Sequence, residues 1–251
     1  MDAVLYGEAG GIARITLNRP DRLNAINTAL IGGLRAALSR AIASPAAEVI
    51  ILQGAGRAFC AGDDLEEFGA GLVDAAGAEA FIADLQTVTR QIMLGPKPVV
   101  CAAQGWIVGG GSAWPLNADF ALLAEDATLF CPEAAHGLFP TGGMTMLVEA
   151  GAGPALARRV LWMGERLGAA QMLAAGLASA VVPRDRLEAE AEALAARLLA
   201  LPAGSRRRLK AARAADVRDR LECALAFEAA ACLEAVFDAE TQARVAANWG
   251  G

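Results

Sequence analysis

The sequence has few aromatic residues and no long apolar segment. Aromatic residues make up 5% of the 251 residues, whereas hydrophobic residues make up 55%. No stretch reaches the roughly 18 consecutive apolar residues of a membrane-spanning helix, and the first residues lack a basic-then-apolar signal pattern. We therefore predict a helix-rich protein of the cytoplasm that has no membrane partner.

Positive charge and metal-binding residues are also scarce. The net charge of −6 argues against nucleic acid as a partner. A single basic cluster at 206–210 is interpreted as a solvated helix face or a local phosphate contact. His136 is the only histidine, and the five cysteines lack the spacing of a metal site, so we predict reduced thiols and no bound metal.

Strand and helix patterns alternate along most of the chain. The predicted strands are 11–17, 49–52, 99–103 and 120–124, and the predicted helices between them are 26–42, 78–94 and 113–117. Three of these strands are short, continuous apolar runs, which are typical of strands covered on both faces. The alternation predicts an α/β fold with crossover connections.

Helical patterns predominate from about residue 154. The predicted elements are helices at 156–163, 169–175, 187–199 and 206–237, with a short strand at 180–182. We therefore predict an α/β core over residues 1–195 and a helical region over 196–251. A helical region of this kind packs on its own core or on a neighbouring subunit.

Two loops place bare peptide N–H groups where a helix is expected to begin. One is Val-Gly-Gly-Gly-Ser at 108–112, and the other is Ala-Gly-Asp-Asp-Leu at 61–65. Glycine permits close approach of a ligand to the backbone. Two converging backbone donors can hold an enolate or a tetrahedral oxyanion. A glycine triplet taken alone is equally an ordinary tight turn.

Further motifs occur in a fixed order along residues 12–183. They include ITLNRP at 15–20, GAGRAFCAGDDL at 54–65, KPVV at 97–100, GWIVGGG at 105–111 and PE at 132–133. Together they resemble the crotonase (enoyl-CoA hydratase/isomerase) superfamily. The resemblance implies a ββα-superhelix core with a C-terminal helical trimerisation region, assembled as a trimer or a dimer of trimers. It also implies an acyl-CoA thioester as substrate and no further cofactor.

The resemblance implies three groups of site residues. The catalytic group consists of Glu133 and the oxyanion donors Gly110 and Asp63. The CoA-binding group consists of Ala61, Asp63 and Leu65, with Arg22 as a candidate phosphate contact. Trp106, Trp114, Phe139 and Thr141 either wall the acyl pocket or belong to the core. His136 is either a second acid/base group or a loop histidine.

One departure from the family pattern bears on the reaction. Hydratases of the family have two glutamates that share the added water; here Ala113 replaces the first, and Glu133 is the second. A methyl group cannot hold or deprotonate water. A single buried carboxylate can still move a double bond, because it can remove a proton from C2 and return it to C4. We therefore predict an enoyl-CoA isomerase, with a hydratase-like lyase, a thioester hydrolase or a non-catalytic acyl-CoA-binding oligomer as alternatives.

Overall fold

The computed structural model describes residues 2–64 and 75–249, which form two β-sheets and surrounding helices. The strands are β1 (Val4–Ala9), β2 (Ile12–Leu17), β3 (Val49–Gly54), β4 (Val99–Ala103), β5 (Trp106–Val108), β6 (Phe120–Ala124), β7 (Thr128–Phe130), β8 (Leu167–Gly168) and β9 (Ala180–Val182). The α-helices are α1 (Thr28–Ala43), α2 (Ala75–Leu94), α3 (Ala113–Asn117), α4 (Met144–Met163), α5 (Ala169–Ala174), α6 (Leu187–Ala200), α7 (Ala203–Phe237) and α8 (Ala239–Trp249). Within the described ranges, no helix is long and apolar enough to cross a membrane.

The larger sheet has the strand order β1-β2-β3-β4-β6-β9. β1 and β2 form an antiparallel hairpin through Gly10 and Gly11, both at positive φ, and all later neighbours are parallel. Parallel neighbours require crossover connections, which the helices provide. The α/β prediction is confirmed. β1 was not predicted, because most of its residues are exposed and show no apolar alternation.

Both faces of the larger sheet are buried. Ile50 and Leu52 of β3 join the core that includes α1 and α2, whereas Val49 and Ile51 pack with α6. Successive residues of a strand point to opposite faces, so burial of both faces produces the continuous apolar run in the sequence. The predicted core boundary falls inside α6, where Ala195 is buried against this sheet. The α/β layer therefore extends to the end of α6.

The smaller sheet leads directly into the glycine run. β5 pairs with β7 in parallel, and β7 pairs with β8 in antiparallel orientation. A 3-10 helix over Gly109–Ser112 follows β5, and α3 follows that helix. The three strands contain only two or three residues each, which is too short to show periodicity. The sequence therefore predicted none of them.

Helix α4 starts earlier than predicted and contains a kink. Gly153 has φ of 78° and ψ of 164°, outside the helical region, and Pro154 follows it. Proline removes a backbone donor and disfavours helical geometry in the residue before it. The Gly-Pro pair interrupts the helical spacing, so the sequence indicated only the second half of α4.

The basic cluster at the start of α7 is partly buried. Arg206 forms an ion pair with Glu48 and donates a hydrogen bond to the carbonyl of Leu198 at 2.8 Å. The Nζ of Lys210 lies 2.7 Å from Oδ2 of Asp119. The interpretation as a solvated face is therefore wrong for these two residues, which connect α7 to the core.

Candidate active site

The loop around Asp63 lies between β5 and the segment that contains Ile26. The Ile26 N–H donates to the carbonyl of Gly62 at 2.7 Å, and the Asp64 N–H donates to the carbonyl of Ile26 at 2.8 Å. Backbone groups alternate in direction along an extended segment. The N–H of Asp63 is therefore turned away from Ile26, toward the side of the loop where β5 lies.

Side chains hold this loop in place. Nη2 of Arg19 lies 2.8 Å from Oδ2 of Asp64, and Nη1 of Arg19 donates to the carbonyl of Ala25 at 2.6 Å. The Asn24 side chain donates to the carbonyl of Ala58 at 2.9 Å. Asp64 thus has a cationic partner and a structural role.

The glycine run lies directly against the Asp63 loop. A Cβ atom on Gly111 would lie 2.4 Å from Sγ of Cys60, so only glycine permits this approach. A Cβ atom on Gly110 would lie 3.6 Å from Oδ1 of Asp63 and 3.8 Å from Oγ1 of Thr141. Gly110 is the second residue of its 3-10 helix, where N–H groups have no acceptor within the helix.

A small cavity opens beside these two loops. It is lined by Asp63, Phe81, Ile82, Leu85, Gly110, Glu133, Leu138, Phe139, Thr141, Cys232 and Val236. Five of these residues were named from the sequence: Asp63, Gly110, Glu133, Phe139 and Thr141. The residues from α2 and α7 were not, because their spacing is that of ordinary helix-core positions.

Glu133 is the most deeply buried carboxylate of this wall, with 8% of its surface exposed. It begins the 3-10 helix Glu133–His136, and its Oε2 is buried with no hydrogen-bond partner among the described residues. Burial raises the pKa of Glu133 to about 7, and the charges of Asp63 and Glu228 add to this rise. A carboxyl group with a pKa near 7 can both accept and donate a proton at neutral pH.

Asp63 contributes a second carboxyl group to the cavity. Its Oδ1 is also buried without a hydrogen-bond partner among the described residues. Burial raises the pKa of Asp63 to about 6. The sequence assigned Asp63 an oxyanion-donor role and a place in the CoA-binding group, but it assigned no role to the carboxyl group of its side chain.

Ala113 does not line the cavity. It is buried at the start of α3, and a Cβ atom on Gly142 would lie 2.6 Å from the Ala113 methyl group. A larger side chain at position 113 would have to displace this contact or turn away from it. Ala113, at the position where hydratases of the family have their first glutamate, is thus packed in the core.

Both tryptophans named for the acyl pocket lie outside the cavity lining. Trp106 is 40% exposed, and the Arg166 guanidinium lies over its ring at 5.5 Å. Trp114 is buried and makes an edge-to-face contact with Phe59 at 6.3 Å between ring centroids. Trp114 therefore packs in the core, whereas Trp106 lies at the surface beside Arg166.

The remaining predicted residues have mixed placements. His136 ends the 3-10 helix that begins with Glu133 but is not among the residues that line the cavity. Arg22 is exposed on the turn before Asn24, and Ala61 is half-buried. Leu65 lies outside the described residues. No group of three or more His, Cys, Asp or Glu residues in 2–64 and 75–249 is arranged to hold a metal ion.

Glu228 of α7 is an important residue that the sequence did not reveal. It is fully buried and accepts hydrogen bonds from the Gly143 N–H at 2.7 Å, the Thr145 N–H at 3.0 Å and the Thr145 hydroxyl at 2.6 Å. These contacts satisfy the first turn of α4. In the sequence it is one glutamate in an alanine-rich helix, with no motif around it.

Comparison with known proteins identifies the family. The model of the family described as enoyl-CoA hydratase/isomerase matches residues 7–246. The chain belongs to this family. A crystal structure of an enoyl-CoA hydratase/isomerase from Mycobacterium paratuberculosis has a TM-score of 0.93 and 28% identity, and the match covers 98% of each chain. The enoyl-CoA hydratase/isomerase, or crotonase, fold expected from the sequence is therefore confirmed.

Curated relatives within the family have different names. A probable enoyl-CoA hydratase from Rhizobium meliloti is 34% identical over 191 residues, 76% of this chain and 72% of that protein. A 1,2-epoxyphenylacetyl-CoA isomerase from Escherichia coli is 32% identical over 210 residues, 80% of this chain and 78% of that protein. This chain is thus an acyl-CoA enzyme of the hydratase/isomerase type, and the relatives' names leave its individual reaction open.

Proposed function

We propose that this enzyme moves the double bond of an enoyl-CoA from the 3,4 to the 2,3 position, with Glu133 as its base. The observation that carries the proposal is the contrast between positions 133 and 113. Glu133 is buried in the cavity wall with an unpartnered carboxylate oxygen, whereas Ala113 is a methyl group packed on Gly142. Hydration needs a water held by acidic or basic groups, but isomerisation needs only proton transfer.

The proposed oxyanion donors are the N–H groups of Asp63 and Gly110. As the C2 proton leaves, negative charge develops on the thioester oxygen, and donors fixed in advance stabilise it without reorganisation. Each such donor contributes about 2.7–4 kcal/mol in enzymes of known mechanism. Supporting this assignment, Gly110 lies beside Asp63, and the Asp63 N–H is turned toward the side of β5.

In the proposed reaction, the Glu133 carboxylate removes a proton from C2 of the acyl chain. The electrons of the C–H bond pass into the thioester and form a dienolate. Proton delivery to C4 then gives the 2-enoyl product, with no net gain or loss of protons. The apolar residues around Glu133 favour its neutral form, which raises its pKa toward neutral pH, where the carboxylate can accept the C2 proton.

The CoA moiety is proposed to lie along the Asp63 loop, near Ala61 and Leu65. Arg22 is the proposed phosphate contact, since it is exposed on the turn whose Leu23 carbonyl accepts a hydrogen bond from the Ala61 N–H at 3.0 Å. A trimer or a dimer of trimers is the proposed assembly. Exposed apolar side chains on α7, Leu209 and Phe227 among them, are consistent with burial in such an assembly.

The direct test is a set of 3-enoyl-CoA substrates of different chain lengths. Conjugation of the double bond with the thioester changes the ultraviolet absorbance, so isomerisation can be followed in plain buffer. We expect activity in the wild type, a loss of about 10²–10⁴-fold in Glu133→Gln, and unchanged activity in Glu149→Gln, which alters an exposed glutamate of α4.

The alternatives give different results in the same test. A lyase would hydrate 2-enoyl-CoA without shifting the double bond of 3-enoyl-CoA, and a hydrolase would release free CoA thiol. A binding protein would take up acyl-CoA in calorimetry without turnover. Absence of isomerisation at every chain length would contradict the proposal.

A further inference from the structure

The cavity contains a second carboxyl group, that of Asp63, which a one-base mechanism does not use. Oδ1 of Asp63 and Oε2 of Glu133 are both buried without a hydrogen-bond partner among the described residues. The two groups face consecutive residues of the glycine run. A Cβ atom on Gly109 would lie 3.4 Å from Oε1 of Glu133, and one on Gly110 would lie 3.6 Å from Oδ1 of Asp63.

Other buried acidic groups near this site do have partners. Asp64, the next residue along the chain, is paired with Arg19 at 2.8 Å. Glu228 accepts three hydrogen bonds from Gly143 and Thr145. Burial of an unpaired carboxyl group is costly, and such groups cluster at sites that act on a ligand. The Asp63 side chain is therefore placed for chemistry rather than for loop structure.

We propose that the Asp63 carboxyl group is the second proton-transfer group of the reaction. It donates its own proton to C4, while Glu133 keeps the proton that it removed from C2. This inference rests on the proposed isomerisation. The Glu133 carboxylate takes the C2 proton, and the Asp63 carboxylic acid gives its proton to C4 as the dienolate electrons form the new C–H bond. The pair ends with the proton on Glu133, and its return to Asp63 restores the starting state.

The titration of the two groups is compatible with a shared proton. Burial raises the pKa of Asp63 to about 6 and that of Glu133 to about 7. Because burial raises the pKa of both groups toward neutral pH, one proton can be shared between the two carboxyl groups. Among the described residues, the other titratable groups that interact electrostatically with a member of the pair include Glu228, Cys232, Cys131 and Cys60.

The experiment uses 3-enoyl-CoA carrying deuterium at C2, with enzyme in excess so that each molecule turns over once. If Glu133 alone transferred the proton, part of the deuterium would reach C4. With Asp63 as donor, we expect mass spectrometry to find almost no deuterium at C4 of the wild-type product. In Asp63→Asn we expect turnover to fall ten- to a hundredfold, while the fraction of deuterium at C4 rises.

The change in label distribution separates proton delivery from a structural role. A residue that only shaped the site would lower turnover without moving deuterium to C4. Asp63→Asn keeps the backbone N–H, so the oxyanion donor is retained, and Glu149→Gln is the control. Equal deuterium at C4 in the wild type and in Asp63→Asn would overturn the inference. Failure of the wild type to isomerise any substrate would instead overturn the proposed function.

A second measurement does not depend on turnover. Carbon-13 NMR of labelled carboxyl groups in the free protein should show two linked titration steps in the wild type. Glu133→Gln assigns the steps, and removal of the Asp63 charge in Asp63→Asn should lower the pKa of Glu133. If Asp63→Asn does not fold, the same linkage can be measured in Glu133→Gln, where removal of the Glu133 charge should lower the pKa of Asp63. Independent titration of the two groups would refute the shared proton.

Discussion

Acidic side chains are buried both in the cavity wall and near the start of helix α7, but the two regions differ in the partners that these side chains have. Beside α7, Asp119 accepts hydrogen bonds from Lys210 at 2.7 Å and from the Val99 N–H at 2.8 Å. In the cavity wall, Glu133 and Asp63 each leave a buried oxygen without a partner among the described residues. Hydrogen bonds and an ion pair offset the cost of burying the charge of Asp119 beside α7, but the buried oxygens in the cavity wall lack such partners among the described residues.

The difference separates groups that hold the fold from groups that remain available to a substrate. A fully partnered carboxylate is held in place by its partners, which suits a junction between helices and sheet. An unpartnered one has its pKa raised by burial, which suits proton transfer. Substitutions beside α7 should therefore change the free energy of unfolding, whereas substitutions in the cavity should change kcat or the dependence of stability on pH.

Lys210→Ala should produce the largest loss of stability. It removes the ammonium partner of Asp119 and leaves the Val99 N–H and the Arg213 guanidinium, whose Nε lies 3.8 Å from Oδ1. Breaking a buried pair costs about 3–5 kcal/mol, and with these remaining partners we expect a loss near the lower value. We expect chemical denaturation to show that loss in the free energy of unfolding. Arg207→Ala, which alters an exposed residue one turn earlier, should stay within about 0.5 kcal/mol. Similar losses in the two variants would show that the Lys210–Asp119 pair is not a stabilising junction.

Gly110→Ala should reduce activity far more than stability. The added methyl would face Asp63 and the cavity, with its tightest contact 3.3 Å from Cδ1 of Ile26. It would obstruct the approach of a thioester oxygen to the Gly110 N–H, so we expect about a 10²–10³-fold loss in kcat. The control Gly32→Ala, in open space on α1, should retain full activity. A kcat near that of the wild type would exclude Gly110 as an oxyanion donor.

Glu133→Gln should change how stability depends on pH. The pKa of Glu133 is about 7 in the folded protein against an ordinary value of 4.5, so the folded state binds the proton more tightly. Its contribution to stability is present below pH 4.5 and is lost as the pH rises through 7. Relative to the wild type, Glu133→Gln should gain on the order of 3 kcal/mol across this interval. Urea denaturation at pH 5 and pH 8 measures the difference, and a constant offset between the two proteins would refute it.

Thr145→Val should have the smallest effect of the four. It removes the hydroxyl donor to Glu228 at 2.6 Å but leaves the two backbone donors in place. A hydrogen bond to a charged group contributes about 1.5–3 kcal/mol, so urea denaturation should show a loss near the lower value. Thr87→Val, on the exposed side of α2, should be nearly neutral. A neutral Thr145→Val would mean that Glu228 does not depend on this hydroxyl.

The sequence predicted the parts of the fold that have strong periodicity or composition. β4 and α3 have the predicted bounds, and the continuous apolar run of β3 follows from burial of both sheet faces. The short strands of the smaller sheet and the kink at Gly153 were missed. Strands of two or three residues have no period, and the Gly-Pro pair at the kink conceals the first half of α4.

The candidate site was predicted in part, because its motifs belong to loops whereas its walls belong to helices. The motifs named Asp63, Gly110 and Glu133, and the structure places all three at one cavity. The contributions of α2 and α7 depend on which helix faces meet in three dimensions, which residue spacing does not report. The position of the Asp63 side chain beside Gly110 was unpredictable for the same reason, since the two residues belong to separate loops.

The position of Cys232 and Val236 in the cavity wall has a consequence for the order in which the site is completed during synthesis on the ribosome. Chains are made from the N-terminus at roughly 5–20 residues per second, and the larger sheet can assemble once α6 has emerged. The cavity gains its last wall only after the end of α7 follows, more than thirty residues later. The nascent chain therefore contains the strands of the larger sheet and both glycine-bearing loops before it contains the α7 residues that complete the cavity wall.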